Sequence, residues 1–196
     1  GKKVLVSGVV SKKTYATGKK ENGFYLVDNT SSIYIYDSST VLKVEEGNAI
    51  TLAATKDYWI LEDEVPFAEK YGYNGSCQLT KGHIISNDEG RNDIDTSWVE
   101  ETTIKQIMDT PVTENITNKI FKANAYIAKS QKEGYVNYYI DDLDETTGSY
   151  VYTQCNGSDL NWLEKFDGKI CTVLVVAINA KSTISGCSWR FIPISV

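Results

Sequence analysis

Apolar residues alternate with polar ones in short runs along most of this chain, and such runs predict strands far more often than helices. The sharpest is Gly23–Asp37, where two β-rich segments flank Asp28-Asn29-Thr30-Ser31, residue types that tolerate tight turns. Alternation puts Phe24 and Leu26 on one face of the first segment, with Ile33 and Ile35 on one face of the second. Tyr25, Tyr34 and Tyr36 fall on the opposite faces. An apolar inner wall and a tyrosine outer wall suit a small barrel. Val4–Val10 reads as a first strand, with Gly8 placed for a bulge or bend, and Ser11–Asn22 reads as a polar loop. After the hairpin comes the connection Ser38–Gly47, then a long strand over Ala49–Trp59. Ile60–Gly75 is an acidic excursion with room for one helical turn, and Gln78–Ser86 returns as a fifth strand.

Periodicity lapses over Asn87–Asn118. Within that lapse Thr102 is positioned to cap a short helix, Thr103–Asp109, stopped by Pro111. The alternation restarts with Phe121, Ala123, Ala125 and Ile127, and a second hairpin is expected from Tyr135–Asp142 and Ser149–Thr153. Ser158–Phe166 carries a serine cap and Leu160, Leu163 and Phe166 at helical spacing. Strands over Ile170–Ala180 and Ser188–Val196 complete the second half. Both halves place a glycine just before the long fourth strand, Gly47 and Gly168, a punctuation that points to duplication. Expected boundaries are therefore 1–95 for a first barrel, 96–119 for a linker with a short helix, and 120–196 for a second barrel.

The order strand, loop, hairpin, connection, strand, loop, strand is that of an oligonucleotide/oligosaccharide-binding (OB) barrel. Phe24-Tyr25-Leu26-Val27-Asp28-Asn29-Thr30-Ser31-Ser32-Ile33-Tyr34-Ile35-Tyr36 resembles the strand two–strand three hairpin of OB domains of the anticodon-binding superfamily. Nearer still is the likeness to tandem OB modules of bacterial surface-exposed proteins, some joined to nuclease or phosphoesterase domains. Ser31 stands where that hairpin often has glycine, and the Leu143–Gly148 turn of the second half is longer. The resemblance implies an all-β chain of two tandem five-stranded Greek-key OB-fold barrels with short helices. It also implies binding, without naming a ligand.

Composition and charge narrow the functions. The net charge of −6 is uneven: residues 1–60 hold 8 Lys against 6 acidic residues, while residues 61–119 hold 5 basic against 12 acidic. That balance opposes strong non-specific binding to nucleic acid. No apolar run is long enough to insert into a bilayer. Gly1-Lys2-Lys3 runs straight into a strand, so the sequence is expected to be a segment of a larger protein, with Gly1 an addition and other domains beside it. Richness in Tyr, Thr, Ser and Asn suggests an extracytoplasmic or cell-surface setting.

Candidate chemistry is sparse. His83 is the sole histidine, Arg91 and Arg190 are the sole arginines, and no glycine-rich phosphate loop is present. No enzyme, no catalytic residue, no cofactor and no metal site is expected. Asp141, Asp142, Asp144 and Glu145 have oxygens that suit calcium, yet match no EF-hand spacing and read more simply as a solvated hairpin tip. Cys77, Cys155, Cys171 and Cys187 are widely spaced and read as free thiols, with one disulfide in the second half as the alternative. What remains is the outer face of strands two and three. There Tyr25, Tyr34 and Tyr36 would stack on bases or sugars, and Lys12, Lys13, Lys19 and Lys20 would contact phosphates. The expected partner is single-stranded nucleic acid. A glycan- or protein-binding role, or a purely structural one, is the alternative.

Overall fold

In a computed structural model, the described residues are 1–16, 20–60, 65, 69, 70, 72, 75–132, 135–142, 157–183 and 186–196. They form nine strands: β1 (Lys3–Ala16), β2 (Lys20–Val27), β3 (Ser32–Tyr36), β4 (Ala49–Trp59), β5 (Ser76–Asp88), β6 (Ile120–Lys132), β7 (Tyr135–Asp141), β8 (Lys169–Thr183) and β9 (Gly186–Ser195). The α-helix α1 (Ile104–Asp109) lies between the two sets, and short 3-10 helices cover Val41–Lys43, Val112–Glu114 and Gly157–Phe166.

The first five strands close into a barrel in the order β1-β2-β3-β5-β4, with β3 and β5 parallel at Tyr34↔Gln78 and Ile35↔Leu79. β1 makes closure possible by serving two neighbours in succession. Residues 3–9 pair with β4, and residues from Val9 onward pair with β2. Gly8 sits at this handover, where an added Cβ would lie 2.5 Å from the Val27 carbonyl oxygen. Its role is close backbone approach. The ladder is regular there, and the irregularities in β1–β2 pairing fall between Val10 and Lys12 and between Thr14 and Tyr15. The expected Ser11–Asn22 loop is thereby corrected, since β1 runs on to Ala16 and β2 begins at Lys20. Polar residues stay in the strand because Lys13 pairs with Glu21 and Glu45, and Lys12 with Glu46.

The hairpin has the expected phase, with Phe24↔Ile35, Tyr25↔Tyr34 and Leu26↔Ile33. Phe24, Leu26 and Ile35 enter a core with Val10, Val41, Ile50, Leu52 and Leu79. The Asp28 carboxylate closes the turn by accepting from the Thr30 and Ser31 amides at 2.7 and 2.9 Å.

The second half forms a four-stranded sheet, β7-β6-β8-β9, among the described residues. The expected strand Ser149–Thr153 lies outside those residues. Gly157–Phe166 is a 3-10 helix where sequence spacing predicts an α-helix; Leu163 is fully buried in the sheet's core. Gly47 and Gly168 both adopt left-handed backbone, at φ +95° and +72°. Their amides donate to equivalent first-strand carbonyls, Val10 at 2.8 Å and Ile127 at 2.9 Å. Residues 96–119, expected as a linker, contribute Val99, Ile104, Ile107 and Ile116 to the second sheet's core. α1 starts one residue later than expected, because Thr103 is its cap in a capping box with Gln106. No helix among the described residues is long and apolar enough to cross a membrane.

Asp37 ties the end of β3 to β5. Its carboxylate accepts from the Ser39 and Thr40 amides at 2.9 and 3.0 Å, the Ser39 hydroxyl at 2.7 Å and the Gly82 amide at 2.7 Å. Burial pushes this carboxyl up, but those bonds outweigh it and hold it below the ordinary 3.8. A depressed folded value means stabilisation that is present above pH 3.8 and lost as pH falls through the lower folded value. Asp37→Ala should cost about 0.5–2 kcal/mol at neutral pH, as loss of a capping side chain does. Urea midpoints followed downward from pH 5 should drop less in Asp37→Asn than in the parent; parallel curves would remove Asp37 from the acid response.

Candidate functional site

The outer face of β2 and β3 carries the tyrosines, as the alternation requires, and they form a ladder. Tyr25 and Tyr34 are cross-strand partners with ring centroids 5.1 Å apart, and Tyr36 follows 6.3 Å from Tyr34. Gly23 makes room for the middle ring, since a Cβ there would lie 2.7 Å from the Tyr34 hydroxyl oxygen. That hydroxyl shares a 2.8 Å hydrogen bond with the Thr14 hydroxyl. Rings fixed in this way lose little entropy on stacking.

Exposure corrects the expectation of an open tyrosine wall. Tyr25 is 1% exposed and Tyr34 7%, and both belong to the core of the second half together with Val27. A second apolar surface covers them. Only Tyr36, at 50%, remains accessible. A cavity of about 10 Å³ among Tyr25, Tyr34, Trp59, Cys77, Asn118 and Ile178 shows how closely the two surfaces meet.

Polar pins hold the seam. Asn118, 7% exposed, has left-handed backbone at φ +65°, a conformation asparagine tolerates better than most residues. Its side-chain amide donates to the Cys77 carbonyl at 2.6 Å and its backbone N–H to the Ala177 carbonyl at 2.7 Å. Its carbonyl accepts from the Ser32 hydroxyl, and the Ser76 hydroxyl donates to the Ile178 carbonyl.

The expected lysines divide. Lys12 pairs with Glu46 at 3.1 Å, and its ammonium sits 4.5 Å over the Trp162 ring, joining the first barrel to the second half. Lys13 is buried and held 3.4 Å from Glu21 and 3.3 Å from Glu45. Both are therefore engaged within the protein instead of being offered to phosphates. Lys20 is exposed, and Lys19 lies outside the described residues. Half-buried Lys56 and exposed Tyr58 add a cation–aromatic pair at 5.1 Å near the end of β4.

Other candidates take structural places. His83 is exposed on β5 opposite Ala53. Asp142 accepts from the Ile104 and Lys105 amides at 2.7 and 2.9 Å, tying β7 to α1, while Asp144 and Glu145 lie outside the described residues. Among the described residues no group of three or more His, Cys, Asp or Glu could hold a metal ion. Cys77 and Cys171 are free thiols, and burial pushes Cys77 up. Cys155 lies outside the described residues, as does the side chain of Cys187. Trp189 is buried in the core, with its indole N–H donating to the Thr110 carbonyl at 2.9 Å.

No protein-family model matches the sequence, and none of the curated proteins matches it. Solved structures resemble it, two of them along almost their whole lengths. One is a murine DNA-binding protein bound with double-stranded DNA, at 10% identity and TM-score 0.43, covering 100% of this chain and 97% of that one. The other is the p204 HINb domain, at 13% identity and TM-score 0.43, covering 98% and 96%. Likenesses at that level carry no functional argument.

The ladder's burial predicts unequal costs. Tyr34→Ala should destabilise the chain by about 3–5 kcal/mol, as aromatic truncation in a core does. Tyr36→Ala should stay within about 0.5 kcal/mol. Chemical denaturation decides: equal effects would mean that the second half does not cover Tyr34 in solution.

Proposed function

We propose that the chain is a non-catalytic module of two OB-type units that binds single-stranded nucleic acid at the open end of the tyrosine ladder. The observation that carries this reading is Tyr36, half-exposed beyond two rings that fix the ladder's position. A nucleobase stacked on Tyr36 would extend a series the protein has already ordered. Exposed Lys20, near the same end of β2, supplies a cation for the backbone.

Under this proposal 1–95 and 120–196 are the two units. Support for a second OB-type unit comes from the matched glycines before β4 and β8 and their matched hydrogen bonds. An extracytoplasmic setting belongs to the proposal as well and rests on composition alone. A structural or protein-binding role has one observation in its favour: the covered part of the tyrosine face already serves as an internal interface.

Affinity for an oligothymidylate, measured between about 50 and 200 mM salt, tests the reading. Tyr36→Ala should weaken binding by about 1–3 kcal/mol, and Lys20→Ala should reduce the salt slope by about 1. Undetectable oligonucleotide binding, or salt-insensitive binding of a glycan in its place, would favour the alternative.

A further inference from the structure

A second feature lies near the β2–β3 turn, at the other end of β3 from Tyr36. A groove of about 400 Å³ opens there, lined by Thr30, Trp98, Glu100, Gln106, Lys119 and Phe121 among others. Its size is that of a small-ligand pocket, and it brings the first barrel's turn together with the segment that precedes β6.

Its polar groups are sorted by the capping of α1. The Gln106 carbonyl oxygen accepts from the Thr103 amide at 3.0 Å and from the Thr102 and Thr103 hydroxyls at 2.9 and 3.2 Å. An amide N–H can only donate, so this end of the side chain is the oxygen, and the two N–H donors at the other end have no partner among the described residues. Glu100 is exposed with no ion-pair partner among the described residues. The Lys119 ammonium has none either and rests 5.1 Å from the Phe121 ring centre. Trp98 is half-buried against the core and held in place by its indole N–H, which donates to the Asp95 carbonyl at 2.7 Å. A fixed indole, a carboxamide, and a carboxylate and an ammonium that have no ion-pair partner among the described residues therefore line one groove.

We infer that this groove binds one guanine base of a nucleic-acid strand, an inference that rests on the nucleic-acid reading above. The base stacks on Trp98, the Gln106 N–H groups donate to its carbonyl, and the Glu100 carboxylate accepts from its two adjacent N–H groups. Lys119 meets a flanking phosphate. Guanine is the base whose edge sets two neighbouring N–H donors beside a carbonyl acceptor, the complement of these two side chains. A pyranose would also stack on the indole but makes no use of the ammonium.

The test is calorimetric titration of the whole chain with dGMP, dTMP and methyl glucoside. Saturable binding of dGMP, tighter than dTMP and absent for the glucoside, is expected. Gln106→Glu keeps the capping box, which glutamate serves as well as glutamine, and removes the donors. It should weaken dGMP binding about tenfold or more. Trp98→Phe, which keeps an aromatic ring in place, should weaken it in parallel, whereas Tyr36→Ala should leave it unchanged. No saturable dGMP binding, equal affinity for dTMP, binding of the glucoside, or insensitivity to both groove variants overturns the inference. The two readings separate cleanly. Tyr36-dependent oligothymidylate binding with no saturable dGMP binding sinks the groove alone, and dGMP binding that is indifferent to Tyr36 while oligothymidylate fails to bind sinks the ladder.

Discussion

Asn118 is the residue on which the arrangement of the two halves depends. Its backbone extends the β6–β8 ladder through Ala177, while its side chain and carbonyl reach the first barrel at Cys77 and Ser32. One residue thus meets three strands, and the left-handed turn at its φ of +65° aims these groups in divergent directions. Burial raises the stakes. In a seam that excludes water, each of these groups would lose a partner outright if the halves parted without rehydration. The apolar contact of Tyr25, Tyr34 and Val27 with the second core supplies the attraction, and the polar pins set its register.

This seam has a functional corollary. An OB barrel offers ligands the outer wall of its second and third strands, and here most of that wall faces protein. Lys12 and Lys13 have followed the tyrosines inward, paired to carboxylates from the β3–β4 connection and, for Lys12, stacked on Trp162. Under the proposed function, recognition would fall to the margins of the seam, where Tyr36 emerges on one side and the Trp98 groove opens on the other. Each margin sets an aromatic ring near an exposed lysine, Lys20 on the Tyr36 side and Lys119 in the groove. Neither has the strong positive field that drives non-specific association, so contact geometry, more than charge, would decide affinity.

Local pattern carried much of the fold. Ala49–Trp59 is a strand over the residues its alternation marks, and the inner face of the hairpin is the one that Phe24, Leu26 and Ile35 dictate. The short helix before Pro111 is equally local, although its cap is Thr103 and not the expected Thr102. What the pattern hides are effects of distant neighbours. Lys12 and Lys13 look like loop residues until Glu45 and Glu46 are placed beside them. Tyr25 and Tyr34 look like an exposed wall because the surface that covers them comes from residues far downstream. Residues 96–119 lack strand periodicity, and so read as a tether, though Ile104 and Ile107 are wholly buried. The groove at Trp98 draws on a turn and a capping segment that no single motif joins.

Because β1 pairs with both β2 and β4, and β5 closes the ring, the first barrel is complete in sequence once Asp88 has been made. The surfaces that cover its tyrosines arrive later, up to Ile178, about ninety residues downstream. At synthesis rates of about 5–20 residues per second, the finished barrel would spend roughly 5–20 seconds with an aromatic wall bare to its surroundings. During that interval the nascent chain carries the very sticky patch that the mature protein conceals. The order of translation therefore leaves the covering of the first barrel's aromatic wall to residues made after that barrel is complete.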